Sequence, residues 1–277
     1  MNILILHGGV GSPRTLSPVL NKYAVKAVKK NAIESVMDSV VLMENDETFN
    51  AGRGSYMRTD KSIQMDATVM IPGNFGSVIN IENVKNPVKV AYDVMTKSPH
   101  NILSGDGAIK FARLRGYDNY DVKTEKAEKK HDEIMTRIKN NEIKEFNDMK
   151  KDFNINDLVG DTVGAVARIN SEFAAAVSTG GTSLMLRGRV GDSPLPGSGI
   201  YCGENGAVVA TGIGEEIIKR QLCYRIYNEI GKMPLEQIVK NKISEFDMEI
   251  PVGVIAVTRD EYSIYANKAM AYGIKTF

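Results

Sequence analysis

Gly160-Asp161-Thr162-Val163-Gly164-Ala165-Val166 is the stretch on which the reading of this chain turns. Val163 to Ile169 is a run of small and β-branched residues that reads as a strand, and Asp-Thr stands at its start. Taken alone, that pair is ordinary turn chemistry, and short motifs of this kind carry a high false-positive risk. The position has a further chemical meaning. If the bond before Thr162 is cut, a hydroxyl and an α-amine sit on the same residue. An α-amine has a pKa near 8 whereas a lysine amine is near 10.4, so it serves as a base close to neutrality. A threonine hydroxyl needs such a base to become a nucleophile.

Upstream of this stretch the composition changes. Asp121 to Asp152 holds nine acidic and nine basic residues in thirty-two, with few large apolar ones. Such a segment buries little surface, and it reads as a solvated helix or as a connector between two halves of one fold. The chain as a whole is ordinary globular material of 277 residues, with 43% hydrophobic and 25% charged residues. Lys plus Arg is 35 against 34 for Asp plus Glu, which argues against an electrostatic nucleic-acid binder. Two cysteines, Cys202 and Cys223, exclude a disulfide framework and suit a reducing cytoplasm. With three histidines besides, a His/Cys zinc cluster is not expected. No stretch approaches the roughly 18 apolar residues that a spanning helix needs, and the opening Ile3 to Leu6 lacks a basic leader. The expectation is a soluble cytoplasmic protein.

Before the charged segment, Asn2 to Leu6 reads as a buried strand ending in a glycine turn. Ser17-Pro18 opens a helix with Leu20, Tyr23, Ala24, Ala27 and Val28 on one face, and Ile33 to Val41 carries a second. Strands are expected at Ala67 to Ile71 and Ser77 to Ile81, and a helix after Asn86-Pro87. Beyond the charged segment, strands are expected at Val163 to Ile169, Phe173 to Thr179, Ala207 to Thr211, Val252 to Thr258 and Tyr262 to Ala266. Helices are expected over Ile217 to Ile230 and from Leu235 to Phe246. Strands in blocks and helices in blocks predict stacked layers of an α+β fold.

The other glycine-rich pieces fall in a fixed order. They are His7-Gly8-Gly9, Phe49-Asn50-Ala51-Gly52, the run from Ser98 to Ala112, Asp161-Thr162-Val163-Gly164, Ser178-Thr179-Gly180-Gly181, Gly188-Arg189-Val190-Gly191-Asp192-Ser193-Pro194 and Thr211-Gly212-Ile213-Gly214-Glu215. In this order they resemble the plant-type asparaginase and isoaspartyl peptidase family of N-terminal-nucleophile hydrolases. The resemblance spans nearly the whole chain except the charged segment. It implies a four-layer αββα sandwich and a precursor that cuts itself between Asp161 and Thr162. The products would be a large subunit, 1–161, ending in the charged linker from about 120, and a small subunit, 162–277.

The resemblance also implies roles. Thr162 is the nucleophile, and Thr179 orients its hydroxyl or amine. Thr211 and Gly212 form the oxyanion hole. Arg189 and Asp192 clamp a free amino-acid head group, carboxylate on guanidinium and ammonium on carboxylate. Gly214 accepts from the α-amine through its carbonyl, and Asn50 stands near the nucleophile's amine. The loop Leu42 to Arg53 holds a sodium ion by backbone carbonyls, a hard-cation ligand set, and no other cofactor is implied. His7 is expected to be structural. The implied activity is hydrolysis of the β-amide of asparagine or of β-aspartyl peptides by a homodimer of two-subunit units. Asp161 before the threonine and the wording of Gly188 to Gly199 also resemble glycosylasparaginases, the alternative. A threonine protease fits less well, because the clamp wants a free head group. A phosphate-binding module has only weak glycine signals and no Gly-Lys-Ser/Thr loop.

Overall fold

The computed structural model describes residues 2–140 and 161–277. The rest of the charged segment, 141–160, lies outside the described residues. Within them the fold is α+β, with strands β1 (Ile3–Val10), β2 (Met65–Ile71), β3 (Asn74–Ile81), β4 (Ile102–Ser104), β5 (Val163–Ile169), β6 (Glu172–Thr179), β7 (Ile200–Gly203), β8 (Gly206–Gly212), β9 (Val252–Thr258), β10 (Tyr262–Ala266) and β11 (Met270–Thr276). The helices are α1 (Ser17–Ala27), α2 (Ala32–Glu44), α3 (Pro87–Lys97), α4 (Gly105–Leu114), α5 (Glu125–Lys139), α6 (Gly214–Arg220), α7 (Leu222–Tyr227) and α8 (Leu235–Ile243).

β1 is apolar throughout because both of its faces are covered. Leu4 and Leu6 pack with Leu20, Val36, Val40 and Val88 from α1, α2 and α3. Ile3 and Ile5, pointing the other way, join Val166, Ala175, Val209 and Ile255 in a group that draws on both sheets. The opposite faces of β8 and β9, with Val208, Ala210 and Val254, pack on Leu222, Ile226, Ile238 and Val239 from α7 and α8. The period of two along each strand thus divides one apolar sequence between two packing groups.

One sheet has the order β11-β1-β5-β6-β2-β3-β4, antiparallel except for its β3–β4 edge; the other has the antiparallel order β10-β9-β8-β7. β1 comes from the first part of the chain yet lies between β5 and β11, both from the last part. β2 pairs with β6 across the same division. The register brings His7 opposite Gly164, Val163 opposite Ser178, and Asp66 opposite Thr179.

Helix starts follow local chemistry. α1 and α3 carry proline in their first turn, where its missing N–H costs nothing. Asn31 caps α2 by accepting the Glu34 N–H at 2.9 Å. The expected helix over Ile217 to Ile230 is two helices instead. Gln221 sits at φ +46° between α6 and α7. There the amides of Cys223 and Tyr224 bond the carbonyls of Ser198 and Gly197, at 3.2 and 2.9 Å, rather than their own helix. β4, α4, β7 and β11 complete the fold beyond the expected elements. The described part of the charged segment is the surface helix α5, held by buried Ala127 and Ile134 and by Lys126 Nζ on the Glu47 carbonyl at 2.7 Å.

Candidate functional site

The β5–β6 register, continued by one residue, sets Thr162 opposite Thr179. Both side chains are buried, and the Thr162 hydroxyl donates to Thr179 Oγ1 at 3.3 Å. Thr179 Oγ1 also accepts the Gly181 N–H at 3.0 Å, which fixes its orientation. The turn it belongs to is braced from the other side. Asn50 donates through Nδ2 to the Gly181 carbonyl at 2.5 Å, and its own carbonyl accepts the Gly180 N–H at 3.0 Å. Asn50 is thus placed as a brace of the turn after Thr179; Tyr56 N–H takes its Oδ1 at 3.2 Å.

The His7-Gly8-Gly9 turn covers the bond before Thr162. Gly9 has φ +97°, and a Cβ there would fall 2.6 Å from Asp161 Cβ, 2.7 Å from Asp161 Cα and 2.8 Å from Thr162 N. Only a residue without a side chain allows this approach, and only glycine adopts that φ without strain. His7 is buried and accepts the Gly9 N–H on Nδ1 at 3.2 Å. Burial lowers its pKa to about 3, outweighing the opposing Thr162 backbone, so the ring is neutral. Burial raises the Asp161 carboxyl to about 7 against the pull of Lys126.

Thr211 is fully buried near the end of β8, and its Oγ1 accepts the Val10 N–H at 3.2 Å. With a lone pair engaged, the hydroxyl proton is left to donate elsewhere. Gly212 follows at φ +151°, and a Cβ there would fall 2.4 Å from the Pro251 carbonyl oxygen. The turn after the Thr162 sheet therefore meets the second sheet here, since Val10 ends β1 and Thr211 lies near the end of β8.

Arg189 and Asp192 converge on Gly214. A Cβ at Gly214 would fall 2.8 Å from Arg189 Nη2 and 2.9 Å from Asp192 Oδ1. Among the described residues the arginine pairs with Glu215 and not with Asp192. Nε donates to Oε1 at 2.9 Å and Nη2 to Oε2 at 2.7 Å. Burial pulls the Arg189 pKa down, but Glu215 outweighs it and the net shift is upward. Asp192 is buried; desolvation raises its pKa to about 7, with Arg189 opposing, and its Oδ2 has no partner among the described residues.

The expected site residues thus fall into two groups, Thr162 with Thr179 and Asn50, and Arg189 with Asp192 and Gly214. Thr211 and Gly212 stand on the neighbouring sheet. Sequence reasoning passed over Glu215, although it ends the Thr211 motif, because nothing there signals a partner for Arg189. It also passed over Asp66, which the β2–β6 register sets opposite Thr179. Among the described residues no cluster of three His, Cys, Asp or Glu side chains could hold a metal. In the Leu42 to Arg53 loop, the Glu44 and Phe49 carbonyls press so closely on Gly52 and Gly54 that a side chain would collide with them. The Glu47 carbonyl there receives the Lys126 ammonium.

A family model described as asparaginase matches residues 14–272. A plant-type L-asparaginase of Pyrococcus abyssi is 37% identical over 238 residues, covering 80% of this chain and 77% of that protein. An isoaspartyl peptidase/L-asparaginase of Xenopus laevis is 34% identical over 251 residues, 84% of this chain and 78% of that one. An N(4)-(beta-N-acetylglucosaminyl)-L-asparaginase of Elizabethkingia miricola is 34% identical over 264 residues, 88% of this chain and 74% of its own.

Proposed function

The chain belongs to the asparaginase family, and from that premise we propose that it hydrolyses the side-chain amide of L-asparagine and the isopeptide bond of β-aspartyl peptides with Thr162 as nucleophile. The observation that carries the assignment of Thr162 is the pairing of its hydroxyl with Thr179 at 3.3 Å, directly after a bond packed under Gly9.

The chemistry starts within the chain. Thr162 Oγ attacks the Asp161 carbonyl, an ester replaces the amide, and water releases the new carboxylate. The freed α-amine, with a pKa near 8, then takes the proton from its own hydroxyl. Arg189 receives the substrate α-carboxylate, and Asp192 with the Gly214 carbonyl receives the α-ammonium, so the β-carbonyl faces Thr162. Attack gives a tetrahedral oxyanion. The Thr211 hydroxyl, whose acceptor side is engaged by Val10, and the Gly212 N–H donate to it. The amine returns its proton to the departing ammonia or peptide amine, and water hydrolyses the aspartyl ester by the same route.

On this reading the layers seen as two sheets with helices packed on them form a four-layer αββα sandwich, the large and small subunits are 1–161 and 162–277, and two such units form a dimer in the cytoplasm. Among the described residues no helix is long and apolar enough to cross a membrane. The resemblance would place a sodium ion on backbone carbonyls of Leu42 to Arg53, the end of α2 and the turn after it, where the Glu47 carbonyl already receives an ammonium.

Mass spectrometry of the purified protein tests the reading. Two pieces of 161 and 116 residues are expected, and an active preparation that holds only the intact chain overturns it. Assays on asparagine, a β-aspartyl dipeptide and a glycosylasparagine then rank the leaving groups. A preference for the last would move the chain to the glycosylasparaginase branch.

A further inference from the structure

Arg58 is fully buried, yet its Nε and Nη1 have no partner among the described residues. Among the described residues its Nη2 makes two long contacts, 3.3 Å to the Gln64 carbonyl and 3.4 Å to the Arg189 carbonyl. A Cβ at Gly181 would fall 3.0 Å from Arg58 Nη1, 3.1 Å from Nη2 and 3.2 Å from Cζ. The guanidinium therefore lies between the turn that follows Thr179 and the backbone of the clamp arginine.

The surrounding charges complete the picture. Asp66, opposite Thr179 in register, takes the Asn80 N–H on Oδ1 at 2.7 Å and has no partner for Oδ2 among the described residues. It acts electrostatically on both Arg58 and Arg189, and the two arginines repel each other. Asp192 Oδ2 is likewise unpartnered. Among the described residues this corner thus leaves Arg58 Nε and Nη1, Asp66 Oδ2, Asp192 Oδ2 and Asn80 Oδ1 buried without a partner. Buried charges are not left so without cost. An amino-acid head group is their complement, because its carboxylate only accepts and its ammonium only donates. Glu215 holds one edge of the Arg189 fork, which leaves the other edge to a substrate carboxylate, and that carboxylate has lone pairs to accept a further donor.

We infer that Arg58 is a second substrate-binding arginine, donating to the α-carboxylate beside Arg189, with Asp66 as its balancing charge. The inference rests on the proposed function, and it adds a specificity element that selects a free α-carboxylate. A carboxylate placed between the two guanidinium groups also removes their repulsion.

The test uses the self-cleaved protein. In Arg58→Gln, KM for asparagine is expected to rise about 10–100-fold with kcat within about threefold, the pattern of a lost charged hydrogen bond made equally in ground and transition states. Arg58→Lys is expected to recover part of the loss. An unchanged KM, or a fall in kcat alone, overturns the inference. Should Arg58→Gln not fold, crystals of cleaved wild type with L-aspartate decide without it. An Arg58 nitrogen is expected about 3 Å from an α-carboxylate oxygen, and a separation beyond about 4 Å refutes the contact. A wild type that turns over neither asparagine nor a β-aspartyl dipeptide fails the functional reading. An active wild type whose Arg58→Gln keeps its KM fails only this one.

Discussion

Replacing Gly9 by alanine is the most direct probe of how the bond proposed for self-cleavage is held. The new methyl would lie 2.6–2.8 Å from Asp161 Cβ, Asp161 Cα and Thr162 N, where carbon contacts settle near 3.5 Å or more. The neighbours must yield by about 0.8 Å, and they are mostly backbone, so the bond itself moves. Alanine at φ +97° adds strain of about 1–2 kcal/mol. Overpacking adds about 1–3 kcal/mol. The larger effect is on reactivity. A misplacement of roughly 1 Å between nucleophile and carbonyl costs on the order of 100-fold in rate. Freshly purified Gly9→Ala precursor, followed on denaturing gels, should therefore convert about 100 times more slowly than wild type, with a lowered Tm. Conversion at the wild-type rate would show that the turn does not position the bond, and the reasoning would fail.

Further outcomes follow from the same geometry. Thr162→Ala should remain one intact chain and hydrolyse nothing, as read by mass and by ammonia release; a cut Thr162→Ala chain rejects the nucleophile. Thr211→Val should fold and mature but lose about 10²–10³-fold in kcat with KM little changed if, as proposed, its hydroxyl is one oxyanion donor. With Asp192 near 7 in the substrate-free protein, the carboxylate is protonated below that pH and cannot take the ammonium, so kcat/KM should fall as pH drops through about 7. Asp192→Asn should make that fall less steep, leaving the slope set by protonation of the Thr162 α-amine near 8, while lowering affinity. Glu44 is buried where it accepts Val88 N–H and Asn86 Nδ2, both at 3.0 Å, and burial raises it to about 7 against these bonds. Its folded pKa lies above its unfolded one, so its contribution to stability is full below about pH 4.5 and is lost as pH rises through about 7, on the order of 3 kcal/mol. Glu44→Gln should flatten the Tm profile over that window, and an unaltered slope would reject the assignment.

The strands around the site were legible because their residues are apolar on both faces. Val163–Ile169 and Val252–Thr258 keep the bounds that their sequence suggests. β11 was hidden by Gly273 and Lys275, which interrupt the apolar run at a sheet edge, and β7 is only four residues long. Gln221 could not be read as a break, because the pattern of apolar residues continues through it. The amides that end the helix answer to Gly197 and Ser198, more than twenty residues away. In the site, motif order points to Thr162, Thr179, Arg189 and Asp192, while Asp66 and Glu215 emerge only from pairing in space. Arg58 carries no signal at all. Within Met57-Arg58-Thr59-Asp60 an arginine reads as a solvated turn residue, and its burial follows from the turn at Ser62 and the approach of Gly181.

The placement of β1 between β5 and β11 also governs what the proposed scission would do to the molecule afterwards. Once the Asp161–Thr162 link is gone, each fragment is threaded through the other like interlaced fingers, and neither can leave without unzipping shared ladders. A protein nicked there would stay whole while native. After melting, however, recovery becomes a meeting of two separate chains, so its yield should depend on dilution where that of the uncut precursor does not.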